Sequence, residues 1–165
     1  MSHSDEETQE LVVEAREGQY LIEAAAGRDN VWPPPLDGLT TGEDSWTAVL
    51  TGTSWGPVTV HLQSLDRQPD TIAGDWEMIV ERDIVTDESG GLEVRGIFQE
   101  GAAGGVPLPP GRYRLRIHVR GRSAAAPHNI LETPVEAHLI QLWPTTAAHP
   151  PAVLVGPDDE ASRKS

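Results

Sequence analysis

The pattern of apolar and polar positions is clearest between Gly111 and Arg122. Tyr113, Leu115, Ile117 and Val119 alternate there with Arg112, Arg114, Arg116, His118 and Arg120. Successive strand side chains point to opposite faces, so this spacing makes one apolar face and one cationic face, which a helix would mix. It predicts a β-strand with the four apolar residues buried and the arginines opposite them. Pro107, Pro109, Pro110 and Gly111 turn the chain into it, because prolines cannot continue a ladder.

Shorter alternations recur along the chain. Residues 19–25 read as a strand on Tyr20, Ile22 and Ala24, 45–51 on Trp46, Ala48 and Leu50, and 57–65 on Val58, Val60 and Leu62. In 76–85, Trp76, Met78 and Val80 oppose Glu77, Glu81 and Asp83. Ile79 falls on the acidic parity and Ile84 with Val85 breaks the alternation, which predicts a bulge near Arg82. Across a turn at 87–91, residues 92–99 pair back with Leu92, Val94 and Phe98 inward. Residues 135–143 form the last full strand, and 149–155 add a short apolar edge. Residues 4–16 fit two readings. Ser4 and Glu7 have capping-box spacing for a helix through 11–16, while Val12 and Val13 suit a strand start. The stretches 29–43, 66–75, 101–110 and 123–134 are read as connections rather than strands.

Seven or eight short strands with turn signals between them predict an all-β fold, a single-domain antiparallel β-sandwich of jelly-roll-like or Ig-like type. The sandwich is expected over 11–155, between a disordered acidic N-terminus at 1–10 and a disordered tail at 156–165.

Composition narrows the setting. A chain of 165 residues can bury a proper core in one domain. It has no cysteine, hence no disulfide framework, thiolate metal site or catalytic thiol. The first ten residues lack the apolar run of a signal peptide, and nowhere do eighteen apolar residues run together. A soluble, cytoplasmic protein is expected. The formal net charge is −14; residues 1–10 hold four acids and 156–165 a net −1, so −9 belongs to the part between. A field of that sign disfavours nucleic acid and anionic membranes and steers a basic partner inward; solubility alone would also account for it.

The arginine row holds five of the twelve basic residues, and like charges two apart on a strand repel. Glu77, Glu81 and Asp83, with Glu93 and Glu136, are the carboxylates available to relieve it in a cross-strand charge ladder. An anion or nucleic-acid groove is the other reading, and the net acidity of the core opposes it.

Candidate chemistry is sparse. Gly52-Thr53-Ser54-Trp55-Gly56 has the spacing of a nucleophile elbow, but a strand start follows where a helix should. The six histidines make no H-E-x-x-H pattern or carboxylate-paired metal set; His118 and His138 could meet across adjacent strands. Gly101–Gly105 lacks the Lys-Ser/Thr of a phosphate loop. No metal or cofactor is expected. Trp46, Trp76 and Trp143 fall on strands like core aromatics, whereas Trp32 and Trp55 sit in loops and could stack on a sugar.

The layout resembles a family, the small bacterial inhibitors of the competence-associated DNA-entry nuclease and related immunity-like proteins. The likeness runs from the opening strand Gln19-Tyr20-Leu21-Ile22, through a proline-bearing loop, an Ala-Val stretch and the Gly-Leu-Glu-Val strand. It ends in Leu108-Pro109-Pro110-Gly111-Arg112-Tyr113-Arg114-Leu115, similar to that family's L-P-x-G-x-Y-x-L, and spans about 19–142. The long Gly/Pro loop and the arginine row depart from the family, and no inhibitory residue carries over. The resemblance implies non-catalytic protein binding, an acidic surface blocking a basic nuclease or toxin.

Three functions are thus open. The first is a non-enzymatic, protein-binding inhibitor or immunity-type module, its partner-binding patch expected at Glu77, Glu81, Asp83, Asp87 and Glu88. The second is a small-molecule or glycan-binding β-sandwich. The last is a serine hydrolase acting through Ser54.

Overall fold

The structure is a computed structural model that describes residues 7–24, 37–72 and 74–164. Its strands are β1 (Glu7–Arg16), β2 (Gln19–Glu23), β3 (Thr40–Glu43), β4 (Trp46–Leu50), β5 (Trp55–Ser64), β6 (Met78–Thr86), β7 (Leu92–Gly96), β8 (Gly104–Val106), β9 (Gly111–Arg120), β10 (Ala137–Pro144) and β11 (Ala152–Val155). A single helical turn, α1 (Arg122–Ala125), and a short helix, α2 (Asp159–Lys164), complete it.

The strands lie in one sheet in the order β11-β6-β9-β10-β5-β1-β2-β4-β3, with β7 and β8 branching from β2. Every pairing between strands is antiparallel except β10 with β5. β9 sits where its alternation requires: Tyr113, Leu115, Ile117 and Val119 are buried in the main core, and the arginines take the other face.

The all-β class holds, but the expected antiparallel sandwich of seven or eight strands is replaced by one mixed, curled sheet of eleven. The reason is the β1–β2 hairpin. Only Arg16 and Gln19 pair across it; β1 then runs along β5, while β2 turns away to β4 and β7. The sheet folds over at that corner, and its two halves bury a shared core. Leu11, Val13, Val60, Leu115 and Ile140 come from one half, and Tyr20, Ile22, Val49 and Val94 from the other.

Other expectations shift with it. Residues 7–16 are strand, not helix, so part of the segment expected to be disordered pairs with β5; residues 1–6 lie outside the described ones. β3 and β8 fall in stretches rich in Thr and Gly that read as loops. β6 has no bulge: its register with β9 is unbroken, with Arg82 on the inner face between Val80 and Ile84. The irregularity lies in β11 instead, between Val153 and Val155. Phe98 lies past the end of β7 and is exposed.

The two ends of the curled sheet meet along a seam. Arg82 Nη1 donates to Thr40 Oγ1 at 3.1 Å and Val85 N to Asp44 O at 2.7 Å, tying β6 to the β3–β4 hairpin. Farther along, the chain after β11 fills the gap. Asp158 meets Arg122, and Ala161 of α2 packs so tightly on Gly38 that a Cβ there would lie 2.5 Å from the Ala161 carbonyl. The tail, expected to be disordered, is thus placed as the seal of the seam. Low apolar content hid this, because Ala161 is the apolar residue that α2 buries beside Asp158 and Glu160.

Candidate functional site: arginines inward, carboxylates outward

β6 and β9 run side by side, and their register sets Glu81 opposite Arg116 and Asp83 opposite Arg114. Arg112 Nη1 donates to Asp83 Oδ2 (2.9 Å) and Arg114 Nη1 to Asp83 Oδ1 (2.7 Å). Arg114 Nε reaches Glu81 Oε1 (3.2 Å), and Arg116 Nε reaches Glu81 Oε2 (2.7 Å). Burial would raise the Asp83 carboxyl, but hydrogen bonds from Arg114, the His149 N–H and Arg112 outweigh it and hold its pKa below the ordinary range. The remaining Arg114 donors reach the carbonyls of His149 and Pro150, and Arg116 stacks on Trp143 at 5.2 Å. Arg112, Arg114 and Arg116 form a charge ladder, closed over by the 145–151 segment, whereas Arg120 is exposed over the Trp76 ring (4.9 Å) and Arg122 pairs with Asp158. Glu93 pairs instead with Arg95 (3.2 Å), on the other half of the sheet.

Glu136, also considered for the ladder, faces the interior. Its Oε1 accepts from Gly52 N (3.0 Å), Thr53 N (2.9 Å) and Thr53 Oγ1 (3.0 Å), and its Oε2 from His138 Nε2 (2.6 Å). His138 Nδ1 shares a hydrogen bond with the Tyr20 hydroxyl (2.8 Å). Burial would raise Glu136, but the His138 and Thr53 bonds prevail and keep it low, hence ionised. Burial and the nearby Glu136 charge push the Tyr20 phenol well above its usual value, so it stays protonated. All three side chains are buried. His138 and His118 do not meet, because adjacent register positions on β10 and β9 put them on opposite faces. The signal for this network was in the sequence: Glu136 and His138 share the parity of Ile140 and Leu142, two polar residues on an apolar face.

This network also accounts for the Gly52–Gly56 spacing. The Gly52 and Thr53 N–H groups of this turn are spent on Glu136, and both His138 nitrogens are taken, leaving none for Ser54. Gly52 is required by packing, since a Cβ would lie 1.9 Å from the Arg122 carbonyl.

The five carboxylates expected to form one patch are dispersed. Glu81 and Asp83 lie together within the ladder. Glu77 stands at the opposite end of β6 from the 87–91 turn, accepting from Gly121 N (2.8 Å). Asp87 and Glu88 are exposed in that turn, where Asp87 Oδ1 accepts from Ser89 N (2.8 Å) and the Ser89 hydroxyl. Those Ser89 bonds hold Asp87 below the ordinary carboxylate range. The Val85–Asp44 bond brings a second exposed pair, Glu43 and Asp44, to the same end of the molecule. Beside them, Glu23, Glu93, Arg95 and the glycines of the two hairpin ends line a cleft of about 690 Å³. Trp55 is partly exposed, Trp46 and Trp143 are buried, and Trp32 lies outside the described residues.

The chain matches no protein-family model and no curated protein. Two solved structures are similar to it. Crocagin biosynthetic gene J is 19% identical with a TM-score of 0.56, over 88% of this chain and 100% of that one. ComJ from Bacillus subtilis, described as an inhibitor of the DNA degrading activity of NucA, is 13% identical with a TM-score of 0.57, over 84% of this chain and 96% of that one. At these identities the likeness is one of fold. It bears out the resemblance carried by the strand order and the Leu108–Leu115 entry.

Proposed function

We propose that this chain is a non-catalytic protein-binding module that inhibits a nuclease or toxin through a basic surface on that partner. The observation that carries the reading is the sorting of charge. Arg114, Arg116 and Arg122 are buried, and Arg82, Arg95 and Arg112 are half-buried, each on a carboxylate, carbonyl or hydroxyl. Glu43, Asp44, Asp87 and Glu88 stay in solvent and, among the described residues, form no ion pair. With these six arginines held internally, carboxylates dominate the field at the end where Glu43, Asp44, Asp87 and Glu88 stand, which attracts a basic protein and repels nucleic acid.

Asp87 and Glu88, with Glu43 and Asp44 beside them, form the first contact, and Glu77 guards the far end. Glu81 and Asp83 act from behind by holding the ladder's arginines inside the sheet. The fold shared with ComJ supports this reading, since that protein inhibits a nuclease. The test is DNA degradation by NucA with increasing amounts of this chain. Inhibition that saturates near equal amounts and weakens as salt rises is expected; undiminished degradation at micromolar chain would overturn the proposal.

The cleft beside Glu23, Glu93 and Arg95 favours a second reading, a small polar ligand bound between the hairpin ends. A ligand screen by melting temperature separates the two, because a resident ligand stabilises by mass action with no nuclease present.

A further inference from the structure

The opposite end of the sheet from the acidic turns carries an apolar surface that the fold does not use. Trp55 opens β5, is 36% exposed, and pairs with Arg16, whose guanidinium lies 5.9 Å from the indole centre. Ile130, 67% exposed, bridges directly to Trp55. Val135, 43% exposed, precedes the point where Glu136 O accepts from Thr59 N, and Val12, 55% exposed, is paired with the same Thr59. Four large apolar side chains in solvent, grouped around one strand start, are more than scattered surface residues.

The platform is held rigidly. Leu131 N donates to Trp55 O at 2.9 Å, and the loop lies so close that a Cβ on Gly56 would be 2.4 Å from Leu131 O. Gly56 has φ +144°, in the region that favours glycine. The backbone carrying Trp55 and Ile130 is therefore anchored, and little backbone ordering would be needed there on binding.

The geometry points to Val12, Trp55, Ile130 and Val135 as a second, apolar contact for the basic protein partner, at the other end of the sheet from the acidic turns. The surroundings choose that occupant. Glu10, Glu14 and Glu132 flank the patch, and the nearby Arg16 is already stacked on Trp55. A partner with an apolar contact ringed by Lys and Arg meets both features, and buried tryptophan anchors carry much of the energy in such contacts. A second copy of this chain would set the same carboxylates against one another on a body of formal charge −14.

This inference rests on the inhibitor reading, and NucA is the probe for both. Binding kinetics are measured with NucA for the wild type, Trp55→Ala, Ile130→Asp and the Glu43→Gln/Glu88→Gln pair. Ile130 is so exposed that its variant tests contact rather than folding, and matched melting temperatures confirm this. Ile130→Asp and Trp55→Ala are expected to raise the dissociation rate about tenfold or more with a smaller change in association. Unchanged dissociation in Ile130→Asp, with wild-type inhibition intact, overturns the patch and leaves the inhibitor reading standing. No inhibition by the wild type removes that reading and this contact with it. A wild-type dimer in sedimentation that Ile130→Asp converts to monomer assigns the patch to self-association and also overturns the proposal.

Discussion

The two ends of the seam handle charge in opposite ways. Where β6 begins, Arg122 is wholly buried and gives Asp158 two hydrogen bonds, 2.9 and 2.6 Å, with two more to the carbonyls of Gly38 and Leu50. Where β6 ends, Glu43, Asp44, Asp87 and Glu88 stand in water, and the join includes the Val85–Asp44 backbone bond and the Arg82–Thr40 contact. The first end uses charge to close the fold. The second leaves charge unspent while the fold closes without it, and that surplus is available to a partner.

Breaking the buried end should produce the largest effect. Arg122→Met leaves the Asp158 carboxylate and two carbonyls buried without their donor. Removing one member of a buried pair costs about 3–5 kcal/mol, and the urea midpoint should fall accordingly. Hydrogen exchange should show residues 158–164 losing protection first, since Asp158 holds that segment in the seam. An unchanged midpoint would mean that the tail contributes nothing to closure.

Glu136→Gln comes next. The amide keeps one oxygen for Gly52 and Thr53 but loses the charge that holds His138, at about 1–3 kcal/mol. Acid reports the same group. Burial opposes the ionised forms of Glu136, Asp83 and Asp158, but hydrogen bonds and arginines overcome it and depress all three. A depressed carboxylate stabilises the fold above its unfolded pKa, about 4, and that contribution disappears as pH falls through the folded value. Urea midpoints should therefore drop below about pH 4, and less steeply in Glu136→Gln and Asp158→Asn than in the wild type.

Glu81→Gln should cost about 1–3 kcal/mol: Asp83 still holds Arg114 when the Glu81 charge is gone, but the buried Arg116 loses its carboxylate partner. This ladder was also the part most legible in the sequence. The alternation of Arg112 to Arg120 with Tyr113 to Val119 placed both faces of β9, and the parity of Glu81 and Asp83 placed their partners. Legibility failed where a charge entered the inner face or a short segment relied on distant neighbours. Ile79 on the acidic parity and the adjacent Ile84 and Val85 predict a bulge near Arg82, whereas Arg82 lies on the inner face between Val80 and Ile84, held by Thr40, far off in sequence. Glu136 reads as a ladder carboxylate and His138 as a partner of His118, because their actual partners, Tyr20 on β2 and Thr53 in the turn before β5, are distant in sequence. The tail is held mainly by Asp158 and Ala161, too few apolar groups to give a periodicity.

The smallest effect on stability should come from the exposed end, and there the comparison is sharpest. Asp87 is a poor residue to change, because its carboxylate shapes its own turn through Ser89. Glu43 and Glu88 are both exposed and the Glu43→Gln/Glu88→Gln pair removes two charges without breaking an ion pair among the described residues. The melting temperature should stay within about 2 °C of the wild type. If these carboxylates steer a basic partner, association with NucA should slow several-fold at low salt, while dissociation barely moves. The difference should vanish by about 0.5 M salt, where screening cuts off fields within a few ångströms. Equal association rates at low salt would show that the outward carboxylates serve solubility, and would leave the Trp55 surface to account for binding alone.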